Sequence, residues 1–212
     1  REKVMKMPLH NFESIVCFNY TGMSPSLMEL CIESKVGVSF LTSYGQLQAR
    51  LSGPTTGNVL LRREQYRIAD DAEASLGFAK LFILGKIYNQ AKVIDRCLRD
   101  HRDVVDSGLL VDVKEHLIDA KQRIRSVRAF QELLGLEGDS GREYFSVFNE
   151  LILHQKASFS FNGRSRRPPL DYVNAMLSFS YGLIRVSVQN ALECVGLDPY
   201  VGFYHVDRPG RQ

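Results

Sequence analysis

Two side chains stand out as candidates for chemistry: Glu137 in "LLGLEGDSGREYF" and His205 in "GLDPYVGFYHVDRPGRQ". Glu137 follows an apolar run and is flanked by Gly138, so its carboxylate needs water, a cation or a donor to offset desolvation. Ser140 and Glu143 have S-x-x-E spacing, which predicts a capping box at the start of a helix and gives Glu143 a structural task. Glu137 has no such task. The residues alone leave it as an exposed helix-end carboxylate or as a ligand. His205 lies among glycine, proline and aromatic residues and reads either as a packing residue or as a metal ligand. His10, His101, His116 and His154 have no H-E-x-x-H partner spacing and are assigned to surface or core.

Basic residues form the second group. Lys92, Arg96 and Arg99 are spaced four then three, as are Lys121, Arg125 and Arg128, so each trio shares one helix face. Such faces are either solvated or track phosphates. Arg164, Arg166 and Arg167 crowd the turn "NGRSRRPP", where a salt bridge between subunits or a phosphate contact is the natural use. Arg142 lies one helical turn past Glu137 and could face a phosphate or pair with a nearby carboxylate. A phosphate-binding G-x-x-x-x-G-K-[ST] loop, a G-x-G-x-x-G fingerprint and a G-x-S-x-G elbow are all missing, which argues against common nucleotide hydrolysis and serine-triad catalysis.

The elements that must position these residues fall into two parts. Over residues 13–52, "ESIVCFN", "VGVSFLT" and "GQLQARLS" read as strands, with a helix in "SPSLMELCIESK" opened by Ser24 and Pro25. From Val59 to Gly196 nearly everything reads as helix. Leu76, Ala79, Ile83, Ile87, Ile94 and Leu98 recur at helical spacing over 75–102; further helices are expected at about 111–135 and 139–155, and a last one from Pro169 to a stop at Gly196. The fold class is therefore α+β in two domains, a small N-terminal β-rich domain over 1–56 and a larger all-α domain over 57–212.

Composition fits this division. The 212 residues are 44% hydrophobic and 24% charged, ordinary for a folded chain, and no apolar run is long enough to span a membrane. The net charge of +3 is too small to argue for nucleic acid by itself, but it is placed unevenly: "EQYRIADDAE" leans acidic and "KQRIRSVR" has four basic residues and no acid. Cys17, Cys31, Cys97 and Cys194 form no C-x-x-C pair and read as buried free thiols in a reducing cytoplasm. The chain opens on Arg1 without a leader pattern and reads as a fragment cut at both ends.

The stretches "GNVLLRREQYRIAD", "LGKIYNQAKVIDR", "LLGLEGDSGREYF", "GRSRRPPLDYVNAMLSFSYGLI" and "GLDPYVGFYH", in this order, resemble the CRISPR-associated spacer-acquisition integrases, the family called Cas one. The resemblance covers most of the chain from about residue 37 onward. It implies an N-terminal β-rich domain with further strands before Arg1, and a helical C-terminal domain. It implies a divalent-metal site of a Glu, a His and an Asp for Mg²⁺ or Mn²⁺, with Glu137 and His205 as the matching ligands. The family's Asp lies beyond the R-P-G-R run, past Gln212, so the resemblance implies a site that is incomplete and inactive in this chain; Asp207 does not match that position. The implied activity is a DNA endonuclease/integrase of CRISPR adaptation, an antiviral defence, inserting short foreign duplexes at the CRISPR repeat by transesterification. Arg142, Arg164, Arg166 and Arg167 are then DNA contacts. The implied partners are double-stranded DNA, a second copy of the chain and the small protein Cas two. A non-catalytic DNA-binding scaffold and a structure-specific repair nuclease are the rival readings.

Overall fold

Strand signals at the start of the chain become a three-stranded sheet. The computed structural model describes residues 5–54 and 58–205. The strands β1 (Ser14–Phe18), β2 (Gly37–Leu41) and β3 (Leu47–Leu51) lie in that order, with helix α1 (Pro25–Glu33) between the first two. β1 pairs with β2 in parallel, Ser14 opposite Gly37, whereas β2 and β3 are antiparallel with a bulge at Phe40/Leu41. A parallel pair needs a crossover, and α1 supplies it. Ser24 caps α1 by accepting from the Leu27 amide, and Pro25 takes the first helical position, where its missing N–H is harmless. The α+β class, sheet first and helices after, holds.

The chain groups into two compact units, one built on the stretch up to Tyr66 with Leu177–Val201, the other on Arg67–Met176 and the stretch from Gly202. In the first, Cys31, Val36 and Val38 form a small core against which Ile15, Met23, Phe40 and Leu51 pack. The later part of α6 (Tyr172–Val195) belongs to it: Asn190 donates to the Ser39 hydroxyl at 3.0 Å, and Glu193 pairs with Arg50. A Cβ on Gly37 would sit 3.0 Å from Asn190 Nδ2, tighter than an ordinary contact, so glycine eases that approach. Gly196 ends α6 at φ +87°, with the Leu197 amide donating back to Leu192, the stop expected from its type. Gln65, buried on α2 (Val59–Asp70), ties down the chain after α6 by donating to the carbonyls of Asp198 and Val201 and accepting from the Asp198 amide.

The second unit is helical. α3 (Ala72–His101) is capped by Asp71 and α4 (Ser107–Ile124) by Asp106, whose carboxylates accept orphan amides of the first turn. The expected stripe on α3 is the core face: Ala79, Ile83, Ile87 and Ile94 are buried, packed with Leu110, Leu117 and Ile124 of α4 and Leu133 of α5 (Phe130–Ser146).

Three boundaries differ from expectation. The expected helices at 111–135 and 139–155 are α4 and α5, so the break falls at 125–129 and not around Gly138. Lys80 sets the break by donating to the carbonyls of Arg125 and Val127, which ends α4, and Glu132 accepts from the Arg128 amide at the start of α5. Glu137 is thus in mid-helix, and Ser140 is a buried interior residue and not a cap. Likewise α6 begins at Tyr172 and not at Pro169, because the Asp171 carboxylate accepts the Asn174 amide at 2.6 Å. All four cysteines are free, but Cys194 is exposed; burial pushes the thiols of Cys17, Cys31 and Cys97 up from their ordinary range.

Candidate metal and nucleic-acid site

The second unit brings the Glu137 region and the chain end together through aromatic packing. Phe203 lies 5.1 Å from Phe78 of α3, ring to ring, which anchors the segment that carries Tyr204 and His205. Tyr204 packs against the helical core, and its ring centroid is 4.7 Å from that of the exposed His205. Burial, with the Glu137 charge adding to it, pushes the Tyr204 phenol up to about 12. Its hydroxyl is buried without a hydrogen-bond partner among the described residues. Tyr204 is therefore the link between the two predicted ligands: its ring is tilted against one and it feels the charge of the other.

Glu137 points from α5 to Lys86 of α3, and the two form an ion pair. Next to it lies a second cluster. His116 Nε2 of α4 is 2.9 Å from Asp139 Oδ2, and Asp139 also pairs with Arg142. Arg142 is thus occupied by carboxylates, with Glu143 at 3.5 Å as well. Neither Lys86 nor the His116–Asp139 pair was read from the sequence, since each joins helices far apart in the chain. The "LGKIYNQ" match held the only hint of Lys86.

The arginine turn divides in two. Arg164 Nη1 donates to the Ser165 carbonyl and to Asn174 Oδ1 at 2.8 Å, so it holds the loop together, whereas Arg166 and Arg167 are exposed. The two basic faces differ as well. Asp95 and Asp100 lie among Lys92, Arg96 and Arg99, and the Lys114 ammonium, hydrogen-bonded to Asp95, holds that carboxyl below its usual range. Lys92 and Lys121 flank the ring of Tyr88, at 5.6 and 5.1 Å from its centroid, a cation–π bridge between α3 and α4.

The whole sequence, residues 1–212, matches the family model described as CRISPR associated protein Cas1. The chain belongs to the Cas1 family. It is 43% identical over 211 residues to a CRISPR-associated endonuclease Cas1 of Chlorobaculum tepidum, covering 100% of this chain and 62% of that protein. It is 44% identical over 210 residues to another from Rhodospirillum rubrum, covering 97% of the chain and 60% of the relative. The Cas1 chain therefore spans about three fifths of these curated relatives. Among solved structures, it resembles a casposase bound to integration product (TM-score 0.73, 26% identity, 94% of this chain and 54% of that one). It also shares the fold of a Cas1 protein from Thermotoga maritima (TM-score 0.70, 22% identity, 97% and 62%).

The Cas1 fold family implies a divalent ion, and the residues can be tested against one. A carboxylate and an imidazole suit a hard, labile ion, and no thiol competes, since Cys97 of this unit is buried in its core. Among the described residues no group of three His, Cys, Asp or Glu side chains assembles, and Glu137 and His205 match such an ion in the kind of donor each carries. Asp207 lies outside the described residues. Among the described residues, no helix is long and apolar enough to cross a membrane.

The Tyr204 environment gives a direct pH test. A phenol whose folded value is above its unfolded value near 10 keeps its proton longer in the folded state, so its contribution to stability is complete below pH ~10 and is lost as pH rises toward about 12. Tyr204→Phe should flatten the alkaline fall of Tm between pH ~10 and ~12 relative to wild type. Parallel Tm curves for the two proteins in that window would remove the phenol from the environment described.

Proposed function

We propose that this chain is the catalytic core of a metal-dependent DNA integrase and endonuclease of CRISPR adaptation. The observation that carries this reading is the neighbourhood of Glu137, Tyr204 and His205 in a chain that matches Cas1 from end to end. Glu137 and His205 would hold Mg²⁺ or Mn²⁺. When bound, such an ion stabilises charge on the oxygens of a phosphodiester under attack. The reaction is a transesterification. A 3′-hydroxyl oxygen of a short duplex bonds to phosphorus, the repeat's P–O3′ bond breaks, and the leaving oxygen takes up the proton that the attacking hydroxyl gives up. One phosphodiester is made for each one broken, which removes the need for an energy source.

The chain's own residues bind and align. Arg166 and Arg167 reach the DNA backbone from an exposed turn, Arg164 holds that turn in shape, and Arg142 borders the site beside Asp139. Tyr204, packed on the helical core, fixes the chain position from which His205 projects. Double-stranded DNA, a second copy of the chain and Cas2 are the proposed partners. The fold is shared with a chain of a structure described as a partial Cas6-RT-Cas1–Cas2 complex (TM-score 0.66, 23% identity), which supports Cas2 as a partner.

The test is strand transfer in Mn²⁺ by the natural gene product, with donor duplexes ending in 3′-hydroxyl or in 3′-dideoxynucleotide. Transfer of the first donor and none of the second is expected. Equal cleavage of the target with both donors and no joined product would favour a repair nuclease. DNA binding with neither outcome would leave a scaffold.

A further inference from the structure

Lys86 has no evident structural reason for its place. Its ion pair with Glu137 is partly open, with the two side chains 42% and 27% exposed, and such a solvent-screened pair adds little to stability. α3 is already anchored at this level by Ile83 and Ile87. Several cations of this unit pair within their own helix, as Arg96 does with Asp100 and Arg123 with Asp119, but Lys86 reaches across 51 residues to α5. The α5 surface is open on one side of its target. On the face of α5 that carries Glu137, a Cβ on Gly141 four residues on would meet nothing within 4 Å, so there is open space beside that carboxylate.

We propose that Lys86 is a metal-released phosphate contact: it neutralises Glu137 while the site is empty of ions, and turns to the DNA backbone once a divalent ion takes that carboxylate. This rests on the reading above, in which Glu137 holds the ion and the site takes DNA. A divalent ion on the carboxylate replaces the attraction for the ammonium with repulsion between two cations. The nearest compensating anion is then the phosphodiester that the ion itself engages. The ammonium is a mobile point charge on a four-carbon stem, suited to such an exchange.

The experiment is a double-mutant cycle on DNA affinity in EDTA, using the natural gene product and a labelled branched duplex. Glu137→Gln frees Lys86 without any metal. It should tighten binding about tenfold with Lys86 present, but about twofold or less in the Lys86→Met background, a coupling in the range seen for groups in contact. Lys86→Gln serves in place of Lys86→Met should the latter fail to fold. Equal tightening in both backgrounds means that only a general charge effect operates, and overturns the proposal while the proposed function stands. Absence of DNA binding in all four proteins overturns both.

Discussion

Replacing Glu137 with alanine is expected to abolish Mn²⁺-dependent strand transfer while leaving the fold and DNA binding in place. The size of the loss should exceed the ~10–100-fold that losing an outer-shell partner of a metal costs. The stability change should be small, because the ion pair broken is partly exposed and worth about 0–1 kcal/mol. His205→Ala should behave in the same way, since His205 is exposed and makes its ring contact with Tyr204 only among the described residues. The measurement is a joined-product assay beside circular dichroism and filter binding. Activity within tenfold of wild type for Glu137→Ala would take that carboxylate out of the site, and with it the reading of the Lys86 pair.

Asn174→Ala should be the most damaging single change to stability outside the apolar core. Asn174 is fully buried at the start of α6 and satisfies four groups at once. Its Oδ1 accepts from the Ser165 amide at 2.9 Å and from Arg164 at 2.8 Å; its Nδ2 donates to the Gly163 carbonyl at 2.8 Å and to Asp171 at 2.7 Å. Alanine removes four hydrogen bonds, those with Ser165, Arg164, Gly163 and Asp171, each worth about 0.5–1.5 kcal/mol net, so a total of about 3 kcal/mol is expected. In a chain of this size that lowers Tm by about 6–12 °C. DNA affinity should fall with it, because the same side chain shapes the turn that presents Arg166 and Arg167. A cost below ~1 kcal/mol would show that the turn is held by other means.

How much of this was legible in the sequence depends on how local each feature is. Ser24–Pro25, the stripe from Ala79 to Ile94 and the stop at Gly196 act through their immediate neighbours, and each stands where its residue type placed it. The break between α4 and α5 was missed because its cause lies in Lys80, some 45 residues upstream, whereas "GLEGDSG" offers glycines that suggest a turn. Packing of Leu133 and Ser140 on the core overrides that suggestion. The site shows the same split. Glu137 and His205 stood out through the family resemblance, but Lys86, Tyr204 and the His116–Asp139 pair emerge only when helices distant in sequence are laid together.

The glycines of α5 have a consequence for how firmly the helix itself is kept. Each interior glycine disfavours a helix by about 0.5–1 kcal/mol relative to alanine, so Gly135, Gly138 and Gly141 together remove about 1.5–3 kcal/mol of intrinsic preference. Left to its own residues α5 would be a coil, and it is helical because Leu133, Leu136 and Tyr144 are gripped by α3 and α4. In native-state hydrogen exchange the backbone under Glu137 should therefore open before that of α4, at a free energy below global unfolding. The carboxylate rides on a segment that folds only while its neighbours hold it, and the site's integrity is set by packing remote from its chemistry.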